Sequence, residues 1–532
     1  VHNDSNKPKQ STPMKRIRRD HKVRNFHQAK WDEPVVFELH RPGERGVIPP
    51  RTEAGIAGAV GESESLIPAS MRRAEAPKLP EIGQAKVLRH YLRLSQETLG
   101  SDLNVEIGQG TCTMKYIPRI NEMLIRTPHM MELHPLQDTG TVQGMLEIFH
   151  KLDLAMREIS GMDAFTFQPS SGTQALLAMA SIVRAYHDSR GEGDQRDEII
   201  TTIFSHPSQA ATAAVKGYKI ITLHPDEDGF PDLEKLKQAV SPRTAGFVVA
   251  NPEDTGIYNP RIREFTDVVH AAGGVCYYDQ ANANGLLGIT RAKEAGFDMC
   301  FFNLHKTFAA PHMCGGPATG ALGVAEPFKR FLPGPLVTFD GSRYELQGQP
   351  HESIGKVRSF YGVAQTVLRS YAWIMSLGAE GLKDVARIAV LNNNYLYHKI
   401  LRIRGASAPY IKGRRLEQVR YSWQRLTEET GVTTEDITRR MCDFGLHYWT
   451  SHHPYIVPQP FTLEPTESYS KEDLDEYIQA LEHISNEAYT NPDIVKSAPH
   501  NSTVHRNDES SLDDPKTWCI TWRSYLKKTQ PN

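Results

Sequence analysis

From Ala164 onward, short apolar runs alternate with amphipathic stretches, and this alternation predicts the architecture. Ala164–Phe167, Glu198–Phe204, Tyr218–Leu223, Ala245–Ala250, Gly274–Tyr278 and Asp298–Phe302 have the length and the β-branched or aromatic content of buried strands. Between them, Leu176, Met179, Ala180 and Val183 share one face of a helix predicted over Thr173–His187, and a second helix is predicted over Ile262–Ala272. Strand–helix–strand repetition builds an α/β fold with a mostly parallel sheet covered on both faces. Functional residues are then expected at the carboxyl ends of the strands.

The flanks have a different texture. Residues 1 to about 33 are polar and interrupted by proline, and Glu81 to His150 is mostly helix and loop, so 1–140 is expected to be an N-terminal arm and helical segment. The large domain is expected over 141–362. A long helix from about Ala364 to Ile400 then opens a smaller α+β C-terminal domain over 363–490. That domain ends in a helix predicted over Lys471–Ala488, with Ser470 and Asp473 spaced as a capping box. Residues 491–532 read as a polar tail, loosely docked.

Composition narrows the function classes. The 532 residues are 39% hydrophobic and 23% charged with formal net charge -2, which offers no global attraction to nucleic acid or to an acidic membrane. The basic run Lys15–Arg19 reads as a solvated leader rather than a nucleic-acid arm or an organellar presequence, because acidic residues follow it. The six cysteines have no close spacing, so reduced thiols are expected rather than disulfides or a zinc site. The chain has neither a long apolar span nor a secretory core at its start, and a cytoplasmic location is expected. His447, His452 and His453 lack metal-ligand spacing, and Cys112 fits a small buried thiol better than a nucleophile.

The sharpest chemical signal is Asn303-Leu304-His305-Lys306-Thr307-Phe308, directly after a predicted buried strand. A lysine at the end of a buried strand, in an uncharged glycine-rich setting, is placed to lose its proton and attack an aldehyde. Asp279 ends the preceding strand, where a carboxylate can keep the pyridine nitrogen of a cofactor protonated. Upstream, Ser171-Gly172-Thr173 joins a strand to a helix, so backbone N–H groups and hydroxyls at the helix start can cradle a phosphate. His206 follows the next strand, where an imidazole can stack on a cofactor ring. Each element alone has a commoner role as a cap or a loop residue. Their order along successive strand ends favours a cofactor site.

These features sit within a longer set of motifs: Arg41-Pro42-Gly43-Glu44-Arg45-Gly46, Thr111-Cys112-Thr113-Met114-Lys115-Tyr116, Leu133-His134-Pro135-Leu136-Gln137, Asn303 to Phe308 with Pro311-His312, Ser353-Ile354-Gly355-Lys356-Val357-Arg358 and Glu464-Pro465-Thr466-Glu467-Ser468. From about Phe37 to about Ala488 the chain resembles the decarboxylating subunit of the glycine cleavage system, the P-protein family, in the half that carries pyridoxal phosphate (PLP). The resemblance implies a fold-type I, aminotransferase-like enzyme with Lys306 bound to pyridoxal 5'-phosphate and Asp279 facing the pyridine nitrogen. It further implies His206 on the ring face, Asn251 or Asn282 at the ring hydroxyl, and Thr173, Asn303 and His305 at the phosphate. Implied partners are a second P-protein-type subunit, a lipoylated carrier protein and a second copy of the chain in a homodimer.

The motifs also depart from the family's usual pattern, at His206-Pro207-Ser208-Gln209, Gly172-Thr173-Gln174-Ala175-Leu176, Gly110-Thr111-Cys112 and Asp279-Gln280-Ala281-Asn282. Drift within the family and an altered specificity both account for such changes. Three readings therefore stand: PLP-dependent decarboxylation of glycine or a related amino acid; a specialised PLP enzyme doing condensation, aldol-type cleavage or transamination; and, last, a non-catalytic subunit.

Overall fold

The computed structural model describes residues 23–100, 104–108, 115–311, 318–410, 414–447, 456–503, 505–506 and 514–529. The run Lys15–Arg19, Cys112, His312, His452 and His453 lie outside the described residues.

Seven strands form the main sheet: β1 (Ala164–Thr166), β2 (Glu198–Thr202), β3 (Lys219–Leu223), β4 (Thr244–Ala250), β5 (Val275–Asp279), β6 (Met299–Asn303) and β7 (Gly320–Val324). Their order is β1-β7-β6-β5-β4-β2-β3, parallel from β3 through β6, with β7 antiparallel to both β6 and β1. Side chains alternate between two apolar cores as the pleat requires. On β5, Cys276 and Tyr278 enter one core, while Val275 and Tyr277 enter the other beneath the helix Gly172–Ser189.

Sequence periodicity does not reveal β7. Its Gly-Ala-Leu-Gly-Val run is small because its neighbours crowd it: a Cβ on Gly323 would stand 2.3 Å from the Phe165 ring, and one on Gly320 would stand 2.6 Å from the Ser171 carbonyl. Steric demand selected residues that carry little strand signal.

The sheet passes into a hairpin, β8 (Leu336–Phe339) with β9 (Tyr344–Gln347), and then into the helix Ala364–Ile400. This helix is broken at Gly378, whose φ of 64° an L-residue adopts only with strain. Trp373, Leu382 and Ala386 pack in the larger core, whereas Leu396, Tyr397 and Ile400 belong to a separate core. There they meet a second pair of strands, β10 (Val419–Ser422) and β11 (Pro460–Leu463), with the helices Thr434–Cys442 and Lys471–Thr490. The last helix begins with the expected capping box: Asp473 N–H donates to the Ser470 hydroxyl at 3.2 Å, and Ser470 N–H donates to the Asp473 carboxylate at 2.9 Å.

The polar tail is docked at its start, contrary to expectation. Val495 and Ala498 are fully buried, the first within the C-terminal core. Gln28 N–H donates to the Asn501 carbonyl at 3.0 Å, tying the two ends of the chain together. Two apolar side chains in an otherwise polar stretch suffice to anchor it. By contrast, none of the described residues from 23 to 81 is buried.

Candidate active site

At the carboxyl ends of the parallel strands lies a cavity of about 270 Å³. Lys306, Asp279, His206, Ser171, Gly172, Thr173, Asn251, Asn282, Asn303 and His305 all line it, together with Glu417, Gln418 and Glu464 from the C-terminal core. The doubly wound sheet explains the convergence, because the parallel strands deliver their following loops to the same edge.

Lys306 sits in the turn after β6, where its N–H donates to the Asn303 carbonyl at 2.9 Å. The next residue anchors the turn: Ala283 N–H donates to the Thr307 hydroxyl at 2.9 Å, and that hydroxyl donates to Asn282 Oδ1 at 3.1 Å. Beneath them the buried Lys115 donates to the Thr307 carbonyl at 2.8 Å, pairs with Glu467 at 2.7 Å and lies 4.6 Å from the centre of the Trp373 ring.

Asp279 closes β5 and is 8% exposed. Burial pushes its carboxyl above the usual carboxylate range, while the Ala281 N–H at 3.0 Å and Gln209 Nε2 at 2.9 Å oppose that shift by donating to its two oxygens. Gln209, from the helix Pro207–Val215, is thus the residue that steadies Asp279. It occupies one of the positions where the chain departs from the family's usual pattern, and nothing in the sequence marks this contact.

Ser171 caps the helix Gly172–Ser189; its hydroxyl oxygen accepts from Gln174 N–H at 3.1 Å, which leaves the O–H to donate elsewhere. Gly172 permits close approach at this helix start: a Cβ there would meet the Asn303 carboxamide at 2.8 Å. The buried Asn303 Oδ1 has no hydrogen-bond partner. His206 caps the next helix, and its Nδ1 accepts from Ser208 N–H at 3.2 Å, which assigns the proton of the neutral ring to Nε2. His305 is 2% exposed beside Lys306.

The two candidate asparagines are largely committed to the protein. Asn251 braces a loop, donating to the Asn259 carbonyl at 3.1 Å and accepting from Asn259 N–H at 2.8 Å. Asn282 donates to Glu464 and accepts from Asn284 N–H at 3.0 Å as well as from Thr307. Each keeps one Nδ2 hydrogen for a ligand.

The residues present fit PLP. An amine and a buried carboxylate share one cavity, and the backbone N–H groups of an 18-residue helix open on it at Gly172.

Comparisons with known proteins agree with this geometry. Residues 169–315 match the family described as aminotransferase class-V, and residues 385–505 match glycine dehydrogenase, C-terminal domain. A relative from Thermococcus gammatolerans, named "Probable glycine dehydrogenase (decarboxylating) subunit 2", is 44% identical over 504 residues, covering 94% of this chain and 98% of the relative. One of the same name from Staphylothermus marinus is 37% identical over 94% of this chain and 98% of its own. Among solved structures, an inhibitor-bound glycine decarboxylase (P-protein) superposes with TM-score 0.66 at 20% identity, over 82% of this chain and 99% of that one. A cysteine desulfurase from Escherichia coli gives TM-score 0.55 at 13% identity, over 74% and 97%. These last two show a shared fold, that of fold-type I PLP enzymes. Among the described residues no helix is long and apolar enough to cross a membrane.

Proposed function

The chain belongs to the glycine dehydrogenase (decarboxylating) subunit 2 family, and from that premise we propose that its cavity holds PLP on Lys306 and decarboxylates glycine. The observation that carries this reading is the meeting of the Lys306 amine and the buried Asp279 carboxylate in one cavity at the strand ends. When bound, PLP supplies an aldehyde for amine exchange and a ring that accepts the electron pair left as carbon dioxide departs.

The protein's own residues do the rest. Asp279, steadied by Gln209, holds a proton on the ring nitrogen. The helix start at Ser171-Gly172-Thr173, with Asn303 and His305, binds the phosphate. His206 covers a ring face with its orientation fixed by Ser208, and the remaining Nδ2 hydrogens of Asn251 and Asn282 face the ring hydroxyl.

The relatives are named as subunits, which implies a complex. We assign this chain a second P-protein-type subunit as its partner, a lipoylated carrier protein as acceptor in the following step, and self-association as a dimer. A cytoplasmic location goes with this assignment.

Lys306→Ala tests the reading directly. Borohydride reduction of the PLP-loaded protein followed by peptide mass mapping should find the cofactor on Lys306, and the variant should carry no adduct and release no carbon dioxide from carboxyl-labelled glycine. An adduct on another lysine, or retained release, would overturn it.

A further inference from the structure

The side of the cavity built by the C-terminal core carries two carboxyl groups that the reading above leaves without work. Glu417 precedes β10 and Glu464 follows β11. Because Val419 pairs with Leu463, both residues leave the two-stranded sheet at the same end. Both line the cavity, at 2% and 7% exposure. Glu464 Oε1 accepts from Asn284 Nδ2 at 3.2 Å and from Asn282 Nδ2, which fixes it against the loop that follows Asp279. Glu417 Oε2 has no hydrogen-bond partner and packs so tightly on Gly285 that a Cβ there would come within 2.3 Å of it.

Two buried carboxyl groups of this kind are expensive to keep, since neither is matched by an ion pair among the described residues. Packing alone is better served by amides or apolar side chains. Two carboxyl groups kept on the wall of a ligand cavity, beyond what packing needs, point to use by the ligand.

Resting on the assignment of PLP to Lys306, we propose that Glu417 and Glu464 form a carboxyl pair on the cavity wall whose ionised member accepts the proton an incoming amino acid sheds from its ammonium before the amine reacts. The N–H bond of the ammonium breaks and its electron pair stays on nitrogen as the attacking lone pair. An O–H bond forms on the ionised member of the pair, and the proton returns when the product amine leaves. No oxidant or further reactant enters.

The environment supports a base that works near neutrality. Burial, with the neighbouring Glu464 charge, pushes Glu417 up to about 8, and burial pushes Glu464 up to about 7. The charged groups around Glu464 come from every adjoining element: Lys306 after β6, Lys115 with its partner Glu467, Asp254 after β4 with its partner Arg420 at 2.5 Å, and Asp279 at the end of β5. His206 and His305 also face the cavity. A base titrating close to the working pH is the effective one. When both carboxyls are protonated the pair has no capacity left, so capture of glycine falls as pH drops through about 7.

The test follows amine capture by the PLP-loaded protein through the visible absorbance of the cofactor, comparing glycine with aminoacetonitrile, a weakly basic amine that arrives already unprotonated. Glu464→Gln should slow glycine capture by roughly 100-fold or more while slowing aminoacetonitrile far less, and Glu464→Asp should restore most of the loss. Glu417 is still protonated when Glu464 ionises, so Glu417→Gln, which keeps that position uncharged, should leave the acid limb for glycine near 7. Equal slowing of both amines by Glu464→Gln, or loss of the acid limb in Glu417→Gln, overturns the proposal. Should a variant fail to take up PLP, the wild type decides: an acid limb near neutrality for glycine but not for aminoacetonitrile supports the pair, and the same limb for both refutes it. A wild type that forms no adduct at Lys306 fails the PLP reading itself, whereas a normal adduct with insensitive variants fails only the pair.

Discussion

Replacing Asp279 by asparagine separates chemistry from folding. The native carboxylate accepts two hydrogen bonds, from Ala281 N–H at 3.0 Å and from Gln209 Nε2 at 2.9 Å. An asparagine presents one oxygen and one NH2, so it keeps one of these contacts and loses the other, at a cost of about 1 kcal/mol. Against that loss stands a gain. Folding raises the Asp279 pKa chiefly by burial, and an acid whose pKa rises on folding weakens the fold wherever it is ionised in the unfolded chain. That penalty operates above the ordinary aspartate value near 3.8, vanishes below it, and is absent in Asp279→Asn. The two terms oppose each other, so at neutral pH the cofactor-free variant should unfold within about 1 kcal/mol of wild type. Below the ordinary aspartate value only the lost hydrogen bond remains, and the variant becomes the less stable protein. Turnover has no such compensation. Losing the charge that keeps the ring nitrogen protonated should cost about 3–4 kcal/mol, or on the order of 100- to 1000-fold in carbon dioxide release from glycine. Denaturant unfolding at two pH values, beside a labelled-glycine assay on PLP-loaded protein, gives both quantities. A rate within about threefold of wild type (under about 1 kcal/mol), or stability and rate falling together, would refute the reasoning.

Gly172→Ala places a Cβ 2.8 Å from the Asn303 carboxamide at the helix start, so PLP affinity should fall by about tenfold or more with little change in the unfolding midpoint, as equilibrium dialysis and a melt would report. Lys115→Met removes the partner of Glu467 and the donor to the Thr307 carbonyl, and should cost about 3 kcal/mol in denaturant unfolding; a loss under about 1 kcal/mol would mean that water already satisfies the pair.

How much of this was legible in the sequence depended on where the signals sit. Strand–helix alternation exposed β1 to β6, because these strands are built from large apolar residues that also mark their own ends. Lys306 and Asp279 stood out for the same reason, the amine following a buried run within three residues and the carboxylate ending one. β7 stayed hidden because contact with Phe165 and Ser171 requires glycine there, and glycine carries no strand propensity. Glu417 has no local signature at all; its place on the cavity wall is created by a strand pair whose partners lie 38 to 44 residues apart. Glu464 lies in a quoted motif, but sequence assigned it no task. Asn251 lines the cavity, yet most of its hydrogen-bonding capacity goes to a neighbouring loop, which no spacing rule reveals.

The left-handed break at Gly378 lets a single helix serve both cores, and the site straddles the line between them. Lys306 and Asp279 belong to one side and the two glutamates to the other, joined by Asp254 with Arg420, by Gln418 donating to the Glu253 carbonyl at 3.0 Å, and by Glu464 with its two asparagines. Those ties are polar, so water competes for them in a way it cannot compete for the apolar interiors. A molecule that touches both halves adds its own contacts to the seam, so filling the cavity should stabilise the two cores together.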